Sequence, residues 1–119
     1  MFVNFTNHSS SNWSDAQKET ANSMAGQIVD KAFPNVPENW TAQQVQECAR
    51  QQAKEIIDLN PQAVLCQGEM VLVWHVVNLL KQAGVPVYAA TSQRNTVETV
   101  VDGKTVKNIV FSFCQFRKY

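Results

Sequence analysis

The chain has 119 residues, of which 45% are hydrophobic and 17% charged, so it is long enough for one domain with its own core. Ten basic residues balance ten acidic ones, which excludes the broad positive field that long nucleic acids require of their binding proteins. Three cysteines without metal-ligand spacing favour free thiols over a disulfide framework or a zinc site. The composition therefore predicts one compact domain, and any anion site must be local.

The N-terminus lacks the basic and apolar segments of a signal peptide. The most apolar stretch, residues 70–80, is too short to cross a bilayer and contains His75 and Asn78. We therefore expect a cytoplasmic protein that has no contact with a membrane.

The first half of the chain alternates strand and helix signals. Phe2, Val3 and Phe5 predict a first strand, which ends in the polar loop "TNHSSSN". Ser14 and Gln17 form a capping pattern for a helix over residues 15–24, which Gly26 ends. The segment "QIVDKAF" then predicts a second strand that stops before two prolines.

The next strand-helix units have stronger signals. Thr41 and Gln44 form a capping box for an amphipathic helix that ends near Pro61. The apolar run "AVLC" is typical of a buried parallel strand. The helix that follows, over residues 70–83, is apolar nearly all round and needs two covers. The sheet supplies one cover, and a second subunit is the simplest source of the other.

The C-terminal third changes to strand signals alone. "VPVYAATS" predicts a fourth parallel strand, and "TVETVV", the turn Asp102-Gly103 and "KTVKNIVFSFCQF" predict a separate hairpin with a bulge near Asn108. The sequence thus predicts a Rossmann-like α/β fold, in which a mostly parallel βαβαβαβ sheet is followed by an antiparallel hairpin.

Ligands of open α/β sheets bind beyond the carboxyl ends of the strands, where the strand order reverses. With the strand order 2-1-3-4, that place lies between the first and third strands. Three polar loops follow the relevant strands: Asn7, His8, Ser9 and Ser10; Gln67, Gly68 and Glu69; and Thr91, Ser92, Gln93 and Arg94. We expect Gly68 to let a ligand approach the backbone closely.

Three residues of these loops are candidates for chemistry. His8 suits a general acid or base or a phosphate contact, or is simply exposed. Glu69 suits a sugar contact or a base, or only complements the dipole of the next helix. Arg94 suits a phosphate contact, or forms a surface salt bridge. There is no G-x-G-x-x-G, P-loop, nucleophile-elbow or H-E-x-x-H motif, so we expect neither a cofactor nor a metal.

The segments "NFTNHSSSNWS" and "AVLCQGEMVLVWHVVNLLKQAGVPVYAATSQR", followed by the hairpin, resemble small stand-alone proteins of type III CRISPR systems. These proteins are related to the CRISPR-associated Rossmann-fold (CARF) domain, and some are ring nucleases. The resemblance implies a homodimer that binds a cyclic oligoadenylate across its two-fold axis. It also implies an antiviral defence role and metal-independent cleavage, in which a ribose 2′-hydroxyl attacks the adjacent phosphate.

Carried over position by position, the resemblance places three groups of residues around the ligand: Asn7, His8, Ser9 and Ser10; Gln67, Gly68 and Glu69; and Thr91, Ser92 and Arg94. His8, Glu69 and Arg94 would be catalytic, and the others would bind the ligand. Basic residues are sparse there for a ligand with several phosphates. Three alternatives stay open: a sensor that binds without cutting, a nucleoside or sugar-nucleotide hydrolase using Glu69, and a dimerisation module without a ligand.

Overall fold

The structure, a computed structural model, describes residues 1–119. Strands and helices follow one another as β1 Phe2–Phe5, α1 Asp15–Ala25, β2 Ile28–Asp30, α2 Ala42–Asp58, β3 Ala63–Cys66, α3 Met70–Gln82, β4 Val87–Val101 and β5 Lys104–Lys118. A short 3-10 turn at Ser10–Asn12 lies between β1 and α1.

The five strands form one mixed sheet in the order β2-β1-β3-β4-β5. The first four are parallel, and β5 runs antiparallel to β4. β1 pairs with both β2 and β3, so the strand order reverses beside β1. The α/β architecture with a mostly parallel sheet and a C-terminal antiparallel pair is as the sequence predicts, and it is consistent with a Rossmann-like fold.

The core lies on both sides of the sheet because side chains alternate along each strand. Val3, Phe5, Val64 and Cys66 face the side covered by α2 and α3. The intervening residues of the same strands face α1 instead; among them Phe2, Ala63 and Leu65 pack with Trp13, Ala21, Ala25 and Phe116. The result is a three-layer domain with the sheet in the middle.

The helix starts follow their local signals. Ser14 accepts a hydrogen bond from the amide of Gln17, which confirms it as the N-cap of α1. Thr41 and Gln44 form the predicted capping box of α2. Gly26 ends α1 with φ near +73°, a conformation that glycine adopts without strain.

Two predictions about the strands were wrong. β2 covers only Ile28–Asp30, and the side chain of Phe33 turns into the core beside Phe5 instead of extending the strand. β4 does not end near Ser92 before a separate hairpin, because it continues as one strand to Val101. Alternating side chains do not distinguish one long strand from two short ones.

The bulge also lies elsewhere than predicted. The ladder is regular at Asn108, and the register shifts at Thr91 and Ser92, which pair with Gln115 and Phe113. Cys114 is therefore the extra residue. The bulge leaves Phe113 and Phe116 on the same face, with ring centroids 4.9 Å apart.

Beyond the bulge, β4 and β5 extend away from the three-layer domain, called the body below, as a two-stranded arm of residues 93–112. Every arm residue except Asn95 is exposed. Since β4 is parallel to β1 and β3, the arm projects from the carboxyl edge of the sheet.

α3 is buried on one side only. Leu72, Val76 and Leu80 pack into the core, whereas Met70 and Trp74 are 82% and 63% exposed. No helix in the chain combines the length and the apolar character needed to cross a membrane.

Candidate functional site

A cleft of about 670 Å³ opens at the carboxyl ends of β1 and β3, beside Ala90 and Ser92 of β4. Its size falls within the range of small-molecule sites. The lining residues are Thr6, Asn7, His8, Asn12, Trp13, Ser14, Gln17, Leu65, Gln67, Gly68, Ala90, Ser92, Phe111 and Phe113. The cleft therefore lies beside β1, where the strand order reverses.

The loop after β1 is shaped by a buried asparagine. Asn4 is 1% exposed, and its amide nitrogen donates to the carbonyl oxygen of His8 and to Oδ1 of Asp30, both at 2.8 Å. Its side-chain oxygen accepts a hydrogen bond from the hydroxyl of Thr6 at 2.9 Å. These bonds fold the chain back after Phe5, so that the loop enters the cleft. Sequence analysis missed this role, although a lone asparagine inside an apolar strand is a usable signal.

Asp30, at the end of β2, holds the other side of the loop. Its carboxylate accepts hydrogen bonds from the amide and hydroxyl of Ser10 and from the hydroxyl of Ser9. Desolvation raises the pKa of Asp30, but the hydrogen bonds from Asn4, Ser10 and Ser9 together bring it below its ordinary value. Ser9 and Ser10 thus bind Asp30 and do not line the cleft.

The lowered pKa of Asp30 predicts a pH-dependent contribution to stability. A depressed carboxyl pKa stabilises the fold above the unfolded-state value, about 4, and that stabilisation disappears as the pH falls through the folded-state pKa. We expect Asp30→Asn to lower the melting temperature at pH 7, and the difference from the unmodified chain to shrink below about pH 4. Thermal melts across pH would measure this. Asp102→Asn, in the exposed arm turn, is the control, and a difference independent of pH would contradict the prediction.

The loop after β3 lines the cleft through Gln67 and Gly68. The side-chain oxygen of Gln67 accepts a hydrogen bond from the amide of Ala90 at 3.1 Å, which fixes the side chain across to β4 and leaves its NH2 group free to donate. Phe33 occupies the space beside Gly68, because a Cβ built there would meet the ring at 2.6 to 2.7 Å. Glycine at this position therefore has a packing reason within the chain itself.

Glu69, Thr91 and Arg94 lie outside the cleft lining. Glu69 is the N-cap of α3, and its two carboxylate oxygens accept from the amides of Val71 and Leu72 at 3.1 and 2.8 Å. The hydroxyl of Thr91 donates to the carbonyl oxygen of Gln115. Arg94 is exposed at the base of the arm, opposite Phe111. Its place in the ladder puts it on the same face as Ser92, which lines the cleft.

His8 is the cleft residue best suited to proton transfer. Its backbone is held by the bonds from Asn4 and Thr6, and neither ring nitrogen has a hydrogen-bond partner in the chain. The exposed imidazole is therefore free to contact a ligand. Cys66, at the end of β3, is unsuited to nucleophilic attack, because burial raises the pKa of its thiol to about 12.

An aromatic wall closes one side of the cleft. Phe111 and Phe113 come from β5 and Trp13 from the loop before α1. Phe111 is 67% exposed, so its ring is open to a ligand. Sequence analysis treated these residues as strand and loop positions, because only the bulge and the sheet pairing bring them to the mouth of the cleft.

The lining contains no lysine, arginine, aspartate or glutamate. The N-terminus of α1, where Ser14 and Gln17 line the cleft, contributes the partial positive charge of a helix dipole. Asp15 in the first turn of α1 offsets part of this charge. No group of three or more His, Cys, Asp or Glu side chains is arranged to hold a metal ion.

The fold and the cleft define an α/β protein with a polar and aromatic pocket at the carboxyl edge of its sheet. Comparison with family models matches residues 1–117 to the family described as the uncharacterized protein MJ1673 family, and the chain therefore belongs to it. No curated protein and no solved structure matches the chain.

Proposed function

We propose that the cleft binds a nucleotide, and that the ligand is a cyclic oligoadenylate, as the resemblance to CARF-related proteins implies. The observation that carries the proposal is the lining, which combines an exposed aromatic ring, several amide and hydroxyl groups and a helix N-terminus at the carboxyl edge beside β1. A nucleotide needs this combination, because its base stacks on aromatic rings and its sugar and phosphate form hydrogen bonds.

Each part of the ligand has a candidate partner. The exposed ring of Phe111 stacks on an adenine base. The free NH2 group of Gln67 and the side-chain amide of Asn7 bond the base edge or the ribose. The N-terminus of α1 attracts phosphate, and Arg94, on the same face of the arm as Ser92, is the cation proposed to contact a phosphate at the mouth of the cleft.

Cleavage of the bound ring would use His8 as the general base. A ribose 2′-hydroxyl attacks the adjacent phosphorus, and His8 accepts the proton of that hydroxyl. The new 2′-O–P bond forms as the P–O5′ bond breaks, and the leaving 5′-oxygen takes up a proton from solvent water. The products are a 2′,3′-cyclic phosphate and a 5′-hydroxyl. The reaction depends on in-line alignment, and Arg94 stabilises the developing charge.

A sensor that binds without cutting is the second candidate. It is favoured by the fact that His8 is the only titratable side chain in the lining. A hydrolase using Glu69 gains no support, because both of its carboxylate oxygens cap α3 and the residue lies outside the lining. In either case we propose a cytoplasmic homodimer that pairs through the 70–83 helix, takes part in antiviral defence and binds no long nucleic acid.

A ligand screen tests the proposal. Purified protein is incubated with cyclic tri-, tetra- and hexa-adenylate in EDTA, while thermal shift and titration calorimetry report binding and chromatography reports products. We expect Phe111→Ala to weaken binding at least tenfold. We expect His8→Ala to lower the rate of any cleavage at least a hundredfold, which is within the range for general-base catalysis.

Asn39→Ala is the control, because Asn39 is exposed and lies outside both the cleft and the groove between α2 and α3. It should leave binding and cleavage unchanged. Binding without products would establish the sensor. Absence of binding by all three rings and by linear adenylates would refute the proposed function.

A further inference from the structure

The arm has two faces of different character. Paired residues share a face, so the register assigns one face to Asn95, Val97, Thr99, Val101, Lys104, Val106, Asn108 and Val110. This valine face carries one charge, at the tip. The other face carries the charged side chains of Arg94, Glu98 and Lys107, of which the last two lie 3.8 Å apart. It also carries the exposed apolar side chains of Val100, Ile109 and Phe111. The two faces therefore differ in charge, with three charged side chains on one face and one on the valine face.

An uncovered valine face lowers the stability of a two-stranded hairpin in water. Isolated hairpins are at best marginally stable in water, and all arm residues except Asn95 are exposed, with Phe111 alone among them lining the cleft. Val97, Val101, Val106 and Val110 are each 39% to 54% exposed. Burial of these side chains on a partner would stabilise the arm.

A second apolar surface lies on the side of the sheet toward which the valine face points, and at the same carboxyl edge of the sheet from which the arm projects. Along β4, Val87 packs with α2 and α3, so by alternation the odd-numbered residues, including Val97 and Val101, look toward that side. α3 begins there with the exposed side chains of Met70, Val71 and Trp74. Beside them lies a groove of about 330 Å³ between α2 and α3. Its apolar lining residues are Trp74 and Leu79, and its polar ones are Gln46, Arg50, His75, Asn78 and Gln82.

We propose that the valine face of each arm packs on the exposed α3 surface of a second copy of this chain, reciprocally about a two-fold axis. The proposal rests on the proposed dimer and not on the ligand. Each copy supplies both complementary surfaces, as an isologous interface requires, and the chain has no net charge to oppose association. Arg50 at the groove and Asp102 at the arm turn form no salt bridge within the chain and carry opposite charges, while Lys104 beside the turn carries the same charge as Arg50.

The buried area favours this arrangement over packing of arm on arm. Nine residues per strand at about 3.3 Å each and two strands about 5 Å apart give a face of roughly 30 by 10 Å, or about 300 Å². A single arm-to-arm contact would bury only about 600 Å² in total, below the roughly 1,200 Å² of stable interfaces. Two reciprocal arm-to-helix contacts reach about 1,200 Å².

Mass measurement in solution tests the proposal without any ligand. The chain mass is 13.4 kDa, so light scattering after size exclusion should report twice that mass. Val97→Glu with Val106→Glu, on the valine face, should give the monomer mass. Trp74→Glu, on α3, should do the same. Val100→Glu with Ile109→Glu, on the opposite face of the arm, is the matched control and should stay dimeric.

A mixing experiment separates the two arrangements. Each monomeric variant alone loses both contacts, but a mixed pair keeps one intact arm on one intact helix. One such contact buries about 600 Å², so mixing the Val97/Val106 variant with the Trp74 variant should give a weak dimer, which grows with concentration and which neither variant forms alone. Circular dichroism verifies that each variant is folded. A monomeric unmodified chain, a dimeric Trp74 variant or a mixture that stays monomeric would each overturn the proposal.

Discussion

Replacing Asn4 with alanine is expected to lower the free energy of unfolding by about 3 kcal/mol, from three lost hydrogen bonds of about 1 kcal/mol each. For a chain of this size the melting temperature should fall by roughly 10 °C. The physical reason is that Asn4 is fully buried and joins the His8 carbonyl, Thr6 and Asp30. Its loss leaves these polar groups without their partner and loosens the loop that lines the cleft. Denaturant unfolding and thermal melts would measure the effect.

Asn4→Asp distinguishes lost hydrogen bonding from lost volume. The side chain is nearly the same size, but a carboxylate cannot donate to Asp30 and repels it. We expect this variant to be at least as unstable as Asn4→Ala at pH 7 and to recover partly in acid. Asn39→Ala, at an exposed position, should change stability by less than about 0.5 kcal/mol. An Asn4→Asp variant as stable as the unmodified chain would contradict the interpretation.

Gly68→Ala is expected to destabilise the fold by about 2 kcal/mol through overpacking. The added methyl group would meet the ring of Phe33, which is buried against Phe5 and has little room to move. A smaller side chain at position 33 should relieve the clash. The double variant Gly68→Ala with Phe33→Leu should therefore be more stable than the sum of the single changes predicts, and denaturant unfolding of all four chains would measure the coupling.

The same double variant tests the role of Gly68 in binding. Sequence analysis predicted that this glycine admits a ligand to the backbone. The structure directs the missing Cβ toward Phe33. If packing is the whole reason, the double variant should bind the same nucleotides as the unmodified chain. A tenfold loss of affinity in a folded double variant would support the close-approach role instead.

Local signals predicted the parts of the fold that depend on local chemistry. The caps at Ser14 and Thr41 are where the side chains predict them, because capping involves residues three positions apart. The short buried strand Ala63–Cys66 is also as predicted. The position of the bulge depends on pairs more than twenty positions apart, Thr91 with Gln115 and Ser92 with Phe113, which no local pattern specifies.

The candidate site was predictable in position and only partly in composition. Asn7, His8, Gln67 and Gly68 line the cleft because each follows a parallel strand at the same edge, and Ser92 lines it from within β4, just beyond the part paired with β3. Ser9, Ser10 and Glu69 point elsewhere because backbone or carboxylate partners within the fold hold them. The aromatic wall required knowledge of the strand pairing.

Cys114, the extra residue of the bulge, sets the angle between the body and the arm. Deletion of this one residue would leave every cross-strand pair as it is, since the residues on either side of it already pair with neighbours on β4. Only the bend would change. The direction of the arm is therefore set by a residue outside residues 93–112. Related chains could carry the same hairpin at a different angle if they gain or lose one residue at this position.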